Sequence, residues 1–227
     1  MNAKLLPLLC ALALAACNNA PQSTPEAAST AASAMTSQPN MTSMASDAMQ
    51  STGNWVSTDS QVHFTSNKTN KQNKTITEES SFATSSAQLS ADGAFAMSID
   101  LASVKTNIDL RDERLRDWVF EVAKFPKAEI SGKIDMNAIS SLKTGDSLQL
   151  KQPLTLDIHG NKLDIDAQLT LKRSADNSIS VETTEPVMLD AKKMGMSEGV
   201  AKLVEVMALA SINEQIPVTF KGTFTRQ

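Results

Sequence analysis

Polar and apolar residues alternate along most of this chain, and the alternation restricts the fold more than any other feature. Across residues 148–171 it continues on both sides of His159-Gly160-Asn161. Successive side chains of a β-strand point to opposite faces, so a period of two indicates strands with one buried face. A short break that contains glycine is typical of a hairpin. We therefore predict two long antiparallel strands joined by a tight turn.

A second block, residues 94–136, contains two alternating segments separated by a charged insert. Residues 94–102 and 127–136 alternate as strands do, whereas residues 107–120 mix charged side chains with leucine, tryptophan and phenylalanine. That mixture is typical of a short amphipathic helix. Phe125-Pro126 ends the insert, because proline disfavours helical backbone in the residue before it. We predict a strand that leaves the sheet through a helical detour and then returns.

The remaining segments bring the expected number of strands to about eight. One begins around Val62, one continues from Ile179 past Pro186 to Leu189, and residues 216–224 form the last. Residues 197–211 have a helical period, with Ser197 as the expected N-cap. Long antiparallel strands with one apolar face expose their edges unless the sheet closes. The predicted fold is mainly β, an antiparallel barrel of about eight strands with two short helical inserts.

The start of the chain has the layout of a secretory signal. Lys4 precedes an apolar stretch, residues 5–16, that is too short to span a bilayer as a permanent helix. Leu14-Ala15-Ala16-Cys17 resembles the bacterial lipobox, in which the cysteine is lipidated and becomes the mature N-terminus. The alternative is an ordinary cleaved signal with a chance cysteine. Asn18 is not the aspartate that retains lipoproteins at the inner membrane in enteric bacteria, so the resemblance implies an outer-membrane anchor.

The composition divides the chain into three parts. Residues 18–53 contain no Lys, Arg or aromatic residue, and such a segment buries too little apolar surface to fold. We predict a signal peptide over 1–16, a lipidated cysteine and disordered tether over 17–53, and a barrel over 54–227. Cys10 and Cys17 are the two cysteines, so no disulfide is expected once the signal is removed and the second is lipidated. The net charge of −4 and the absence of a basic stripe argue against a nucleic-acid partner.

Several landmarks of the predicted barrel resemble the YceI-like family. They are Ile99-Asp100-Leu101-Ala102-Ser103-Val104-Lys105-Thr106, Arg111-Asp112 with Leu115, Phe125-Pro126, His159-Gly160 and Met194-Gly195-Met196. The resemblance implies a lipocalin-like barrel with helical elements by its mouth, which holds a polyisoprenoid or similar long amphiphile and has no known catalysis. It also implies homodimerisation, as an expectation from relatives. The chain departs from the family pattern at Arg114, at Trp118-Val119-Phe120 and at Met194, all close to the expected mouth.

The alternating residues supply the predicted ligand-binding residues. Each methylene moved from water into an apolar channel contributes about 0.8 kcal/mol, so an isoprenoid tail needs no catalytic group to bind. The same residues could instead only fill a core, because alternation reports burial and not a cavity. The predicted cavity lining is Phe64, Phe95, Met97, Ile99, Leu101, Ile130, Ile134, Leu154, Leu156, Leu163, Ile165, Phe220 and Phe224. The predicted cavity mouth is Arg111, Asp112, Arg114, Leu115, Trp118 and Phe120, whose charges could also form a solvated helix face.

Catalytic signatures are weak in this sequence. His63 and His159 have no metal-ligand spacing, Asp164 and Asp166 lie on one outward face, and neither a phosphate-cradling loop nor a GxSxG elbow is present. We therefore predict a non-enzymatic protein with no catalytic residue, no metal and no cofactor beyond a bound isoprenoid or quinone. Two hypotheses remain: an isoprenoid-binding barrel tethered to the bacterial envelope, facing the periplasm or the exterior, or a filled barrel whose outer surface meets an envelope or host partner.

Overall fold

The computed structural model describes residues 53–227. The predicted signal peptide, the lipidated Cys17 and the tether up to residue 52 lie outside the described residues. Within the described part, no helix is long and apolar enough to cross a membrane.

Strands dominate the described residues, and the helices are short. The strands are β1 (Trp55–Asn70), β2 (Thr75–Phe82), β3 (Ser85–Leu89), β4 (Ala94–Asp100), β5 (Val104–Lys105), β6 (Lys127–Lys133), β7 (Ser147–Ile158), β8 (Asn161–Ala175), β9 (Ser178–Thr183), β10 (Val187–Asp190), β11 (Leu209–Ile212) and β12 (Gln215–Arg226). The helices are α1 (Asp109–Arg114), which continues into a π-helical turn (Leu115–Val119), α2 (Met136–Ser141) and α3 (Ser197–Val206); a 3₁₀ turn covers Leu101–Ser103.

Eight antiparallel strands close into a barrel, so the predicted fold class is confirmed. Their order around the barrel is β1, β12, β9, β8, β7, β6, β4 and β3, and β3 returns to β1. The closure is made by β1 and β12, which pair from Trp55↔Arg226 to Phe64↔Val218. Because every strand of the ring has two partners, the ring presents no free edge.

The other four strands lengthen the wall at one end of the barrel. The second half of β1 pairs with β2 on one side and with β11 on the other, β5 pairs with β2, and β10 pairs with the first residues of β12. The helices α1 and α3 lie at this end, where α3 contacts the π-helical turn. We call it the helical end of the barrel.

The predicted long hairpin is confirmed. Strands β7 and β8 pair without interruption from Ser147↔Lys172 to Ile158↔Asn161. The two turn residues both have positive φ, 52° at His159 and 76° at Gly160. Two consecutive positive φ angles characterise the type I′ turn, whose twist matches that of the flanking strands.

Two predicted strands end earlier than their alternation suggests, and an aspartate ends each of them. Asp100 accepts a hydrogen bond from Ala102 N at 2.9 Å and starts the 3₁₀ turn. Asp135 accepts one from Asn137 N at 2.9 Å and starts α2, a helix that the sequence analysis did not predict. A carboxylate that binds the backbone two residues ahead favours a turn or helix start over a strand.

The later helix prediction is wrong in its last third. Helix α3 ends at Val206, Ala208 takes a positive φ of 50°, and β11 follows and pairs with β1. Ser197 is the first helical residue and not the cap, since its hydroxyl donates to Glu214 at 2.6 Å. The single strand predicted around Pro186 is two strands, β9 and β10. Each of them pairs with a different part of β12.

Candidate functional site

The barrel encloses an apolar cavity of about 190 Å³, which we call the first cavity. Its wall is made mainly by inward-facing side chains of the ring strands, with contributions from β2, β10 and α2, and Gln152 and Thr183 are the polar residues among those that line it. Its volume is far above the roughly 10–15 Å³ that one water molecule needs. Eleven of the predicted lining residues line it: Phe95, Met97, Ile99, Leu101, Ile130, Ile134, Leu154, Leu156, Ile165, Phe220 and Phe224.

The other two predicted lining residues lie elsewhere. Phe64 lines a second cavity and not the first. Leu163 lines neither, although it is half-buried and packs against the hydrophobic core. It is paired with Leu156 next to the hairpin turn.

The second cavity has a volume of about 150 Å³ and lies at the helical end. It shares four wall residues with the first cavity, Phe82, Ile158, Leu189 and Val218, so the two spaces adjoin along the barrel. Its outer wall comes from the helices and includes Leu115, Val119, Phe120, Val200, Leu203 and Met207. The helices therefore cover the interior at this end.

A glycine allows α3 to pack closely against the π-helical turn. A Cβ added at Gly199 would lie 2.0 Å from the carbonyl oxygen of Trp118. Any other residue would push the two segments apart, so this position sets the height of the cover over the second cavity.

The predicted mouth residues divide into two groups. Arg111, Leu115 and Phe120 line the second cavity. Arg114 does not, and its guanidinium lies 5.6 Å from the centre of the Trp118 ring. Arg114 and Trp118, which both depart from the family pattern, thus form a cation–π pair outside the cavity.

Asp112, the remaining predicted mouth residue, is buried and has a structural contact. Its Oδ1 accepts hydrogen bonds from the backbone N of Thr106 at 2.8 Å and from the hydroxyl of Thr106 at 2.5 Å. These bonds tie α1 to the segment that follows β5. We assign it a positioning contact, since it does not line either cavity.

The inner face of β1 becomes polar towards the helical end. Val62, Phe64, Ser66 and Lys68 alternate with outward residues, and Lys68 is only 8% exposed. Opposite them on β2, Phe82 pairs with Val62 and Glu78 pairs with Ser66. The sequence analysis missed Lys68 and Glu78. Lys68 lies on the same face of β1 as Val62 and Phe64, and Glu78 lies on the same face of β2 as Phe82.

Glu78 binds two cations at once, the buried Lys68 and the half-buried Arg111. Its Oε2 accepts from the Lys68 ammonium and from Arg111 Nη1. Burial acts to raise the pKa of Glu78, but the hydrogen bond from Lys68 and the charges of Arg111 and Lys68 outweigh it. The pKa therefore lies below its usual value. Glu78 is ionised at neutral pH and holds both cations beside the second cavity.

Trp55 forms the floor at the opposite end of the first cavity. It is 3% exposed and lines both that cavity and a polar surface pocket beyond it. The guanidinium carbons of Arg173 and Arg226 lie 5.7 and 5.9 Å from its ring centre. Arg173 also donates to the carbonyl of Asp176 at 2.6 Å. The floor is thus an aromatic ring held by two cations.

Each of the two histidines lies beside one glutamate. His63 Nδ1 lies 3.1 Å from Glu79 on the outer surface, and His159 Nε2 lies 3.0 Å from Glu121. Among residues 53–227, no group of three or more His, Cys, Asp or Glu side chains is placed to hold a metal ion. The interior therefore offers apolar burial and one charged region in the wall of the second cavity. This region consists of Lys68 and Arg111, both bound to Glu78, and we call it the cationic corner.

Comparison with known proteins agrees with this geometry. The family model described as YceI-like domain matches residues 54–224. A polyisoprenoid-binding domain from Saccharophagus degradans implicated in plant cell wall breakdown is 28% identical, with a TM-score of 0.72, and the match covers 76% of this chain and 98% of that one. BcnA of Burkholderia cenocepacia is 17% identical with a TM-score of 0.53, covering 72% and 95%, and shows the fold alone. The comparison with curated proteins gave no match.

The family match covers the ring of strands up to Phe224 of β12, both cavities and the helices that cover them. It also contains the landmarks on which the sequence resemblance was based. The chain therefore belongs to the YceI-like family.

Proposed function

We propose that the barrel binds an isoprenoid or similar long-chain amphiphile and performs no catalysis. The observation that carries the proposal is the apolar first cavity, which adjoins the second cavity and so extends towards the helical end. Each buried methylene contributes about 0.8 kcal/mol, so a chain of several isoprene units gains enough affinity from burial alone. The relative from Saccharophagus degradans, described as polyisoprenoid-binding, supports the same ligand class.

The interaction hypothesis, in which a filled barrel presents its outer surface, has less support. The hypothesis of a filled barrel does not account for a cavity of about 190 Å³ with an almost wholly apolar wall. Dry apolar cavities lower stability because their lining loses packing contacts. A ligand that fills the space would restore those contacts.

Mass spectrometry of the co-purified lipid tests the proposal. Protein purified under mild conditions should yield a long-chain isoprenoid or related amphiphile in near-stoichiometric amount after organic extraction. The same protein, delipidated and repurified, serves as the control and should yield none. Lipid binding would be contradicted if the freshly purified protein yielded no more lipid than the delipidated control and the delipidated protein took up no added isoprenoid.

We also propose that the barrel is tethered to the bacterial outer membrane through a lipid on Cys17. Support comes from the Leu14-Ala15-Ala16-Cys17 tetrad and the polar composition of residues 18–53. In cells fed labelled palmitate, the protein should carry the label and fractionate with the outer membrane, and Cys17→Ser should lose both. Cys10→Ser is the matched control and should keep them. Label retained by Cys17→Ser would refute the anchor.

A further inference from the structure

The cationic corner of the second cavity contains hydrogen-bond donors that the fold does not use. Arg111 Nη1 donates to Glu78 and Nη2 donates to the carbonyl of Thr106 at 2.6 Å, but its Nε is buried without a partner. Lys68 binds Glu78 through an ammonium that offers three donors. A buried donor without an acceptor is costly, so such a group in a cavity wall points to an absent ligand.

The cations face the cavity and the carboxylates do not. Lys68 and Arg111 both line the second cavity, with Ser66, Ser80 and Thr106 as the other polar wall residues. Neither Glu78 nor Asp112 lines it. A ligand in the cavity therefore meets the two cationic residues in a wall that is otherwise mostly apolar, whereas the hydroxyls of Ser66 and Thr106 already donate to Glu78 O and to Asp112.

We infer that this corner receives an anionic head, a carboxylate or a phosphate monoester, of an amphiphile whose tail lies in the first cavity. The inference rests on the proposed function and adds the chemical class of the head. The inner face of β1 follows the same order, from Val62 and Phe64 beside a tail to Ser66 and Lys68 beside a head. Hydrogen bonds to an ionised acceptor are about twice as strong as neutral ones, so an anion satisfies these donors better than an alcohol does.

Three ligands with one tail and different heads test the inference. Farnesol, farnesoic acid and farnesyl phosphate would each displace the neutral fluorophore N-phenyl-1-naphthylamine from delipidated protein. We expect at least one of the two anions to have a Kd about tenfold or more below that of farnesol. The anion with the larger advantage identifies the head, and either result supports the inference.

Two variants of opposite expected effect locate the preference. Lys68→Met should lower the ratio of farnesol Kd to anion Kd several-fold, and Glu78→Gln should raise it, because it removes the negative charge that competes for both cations. The matched control is Lys202→Met, which removes the same charge from an exposed lysine of α3 that pairs with Glu198 at 2.9 Å. Its ratio should equal that of the unmodified protein.

The outcomes separate this inference from the proposed function. Tight farnesol binding with no advantage for either anion would overturn the anionic head and leave lipid binding intact. Failure of all three ligands to displace the fluorophore would overturn both. Should Lys68→Met not fold, Glu78→Gln still decides, because a lower ratio in that variant contradicts the inference.

Discussion

Replacing Ala167 with phenylalanine is expected to block isoprenoid binding while the barrel stays folded. Ala167 is a residue of β8, is 3% exposed and lines the first cavity. A phenyl ring at this position occupies space that the tail would use. If it displaces three methylenes, the loss is about 2.4 kcal/mol, or roughly 50-fold in Kd. Displacement of a neutral fluorophore by farnesol measures the change.

The neighbouring residue on β8 provides a matched control. Gln168 is exposed on the outer face, so Gln168→Phe adds a ring of the same kind outside the barrel. It should leave the Kd for farnesol unchanged. Thermal unfolding of both variants checks that the barrel persists, because overpacking costs about 1–3 kcal/mol where there is no space for the added group. A folded Ala167→Phe protein with unchanged affinity would show that the tail does not lie in this cavity.

Replacing Trp55 with alanine is expected to lower the free energy of unfolding by about 3–5 kcal/mol, the usual cost of removing a buried large aromatic side chain. The ring closes the floor of the first cavity, and its loss leaves a void there. Arg173, itself buried, would also lose the ring that its guanidinium contacts. Denaturation in guanidinium chloride measures the difference, with the slope of the transition used to verify that both proteins unfold in the same way.

The second tryptophan of the chain is the natural comparison. Trp118 is half-buried and contacts Arg114 at the helical end. Trp118→Ala should therefore cost clearly less, about 1–2 kcal/mol, since less apolar surface is lost. Equal destabilisation by the two substitutions would contradict the role of Trp55 as the floor of the barrel.

The barrel class could be predicted because alternation reports which face of each strand is buried. Ile99 and Leu156, for example, share the inward phase of their strands and line one cavity. Alternation does not report which strands pair. The closure of β1 with β12 joins the two ends of the domain, and the local pattern of neither strand specifies this partner.

Single polar residues account for most of what the sequence analysis missed. Asp100 and Asp135 have the strand phase but bind the backbone ahead of them, and such local bonds override a hydrophobic period. Lys68 has the inward phase of β1, but a charged residue there indicates a buried site only when its partner is known. Leu163 has the inward phase of β8 but lines neither cavity. The phase of a residue gives the face on which it lies, and it does not tell whether neighbouring side chains already fill the space there.

The pairing of the first and last strands also has a kinetic consequence. Trp55↔Arg226 and Gln227 N, which donates to Asn54 O at 2.8 Å, bring together residues that are almost the full domain apart in sequence. Contacts between distant residues form late and slow folding, because the loop entropy is lost before the contacts are gained. Until β12 docks, β1 and β9 remain open edges to which strands of other chains can add. The twelve residues of β12 therefore determine when the folding domain stops being prone to aggregation.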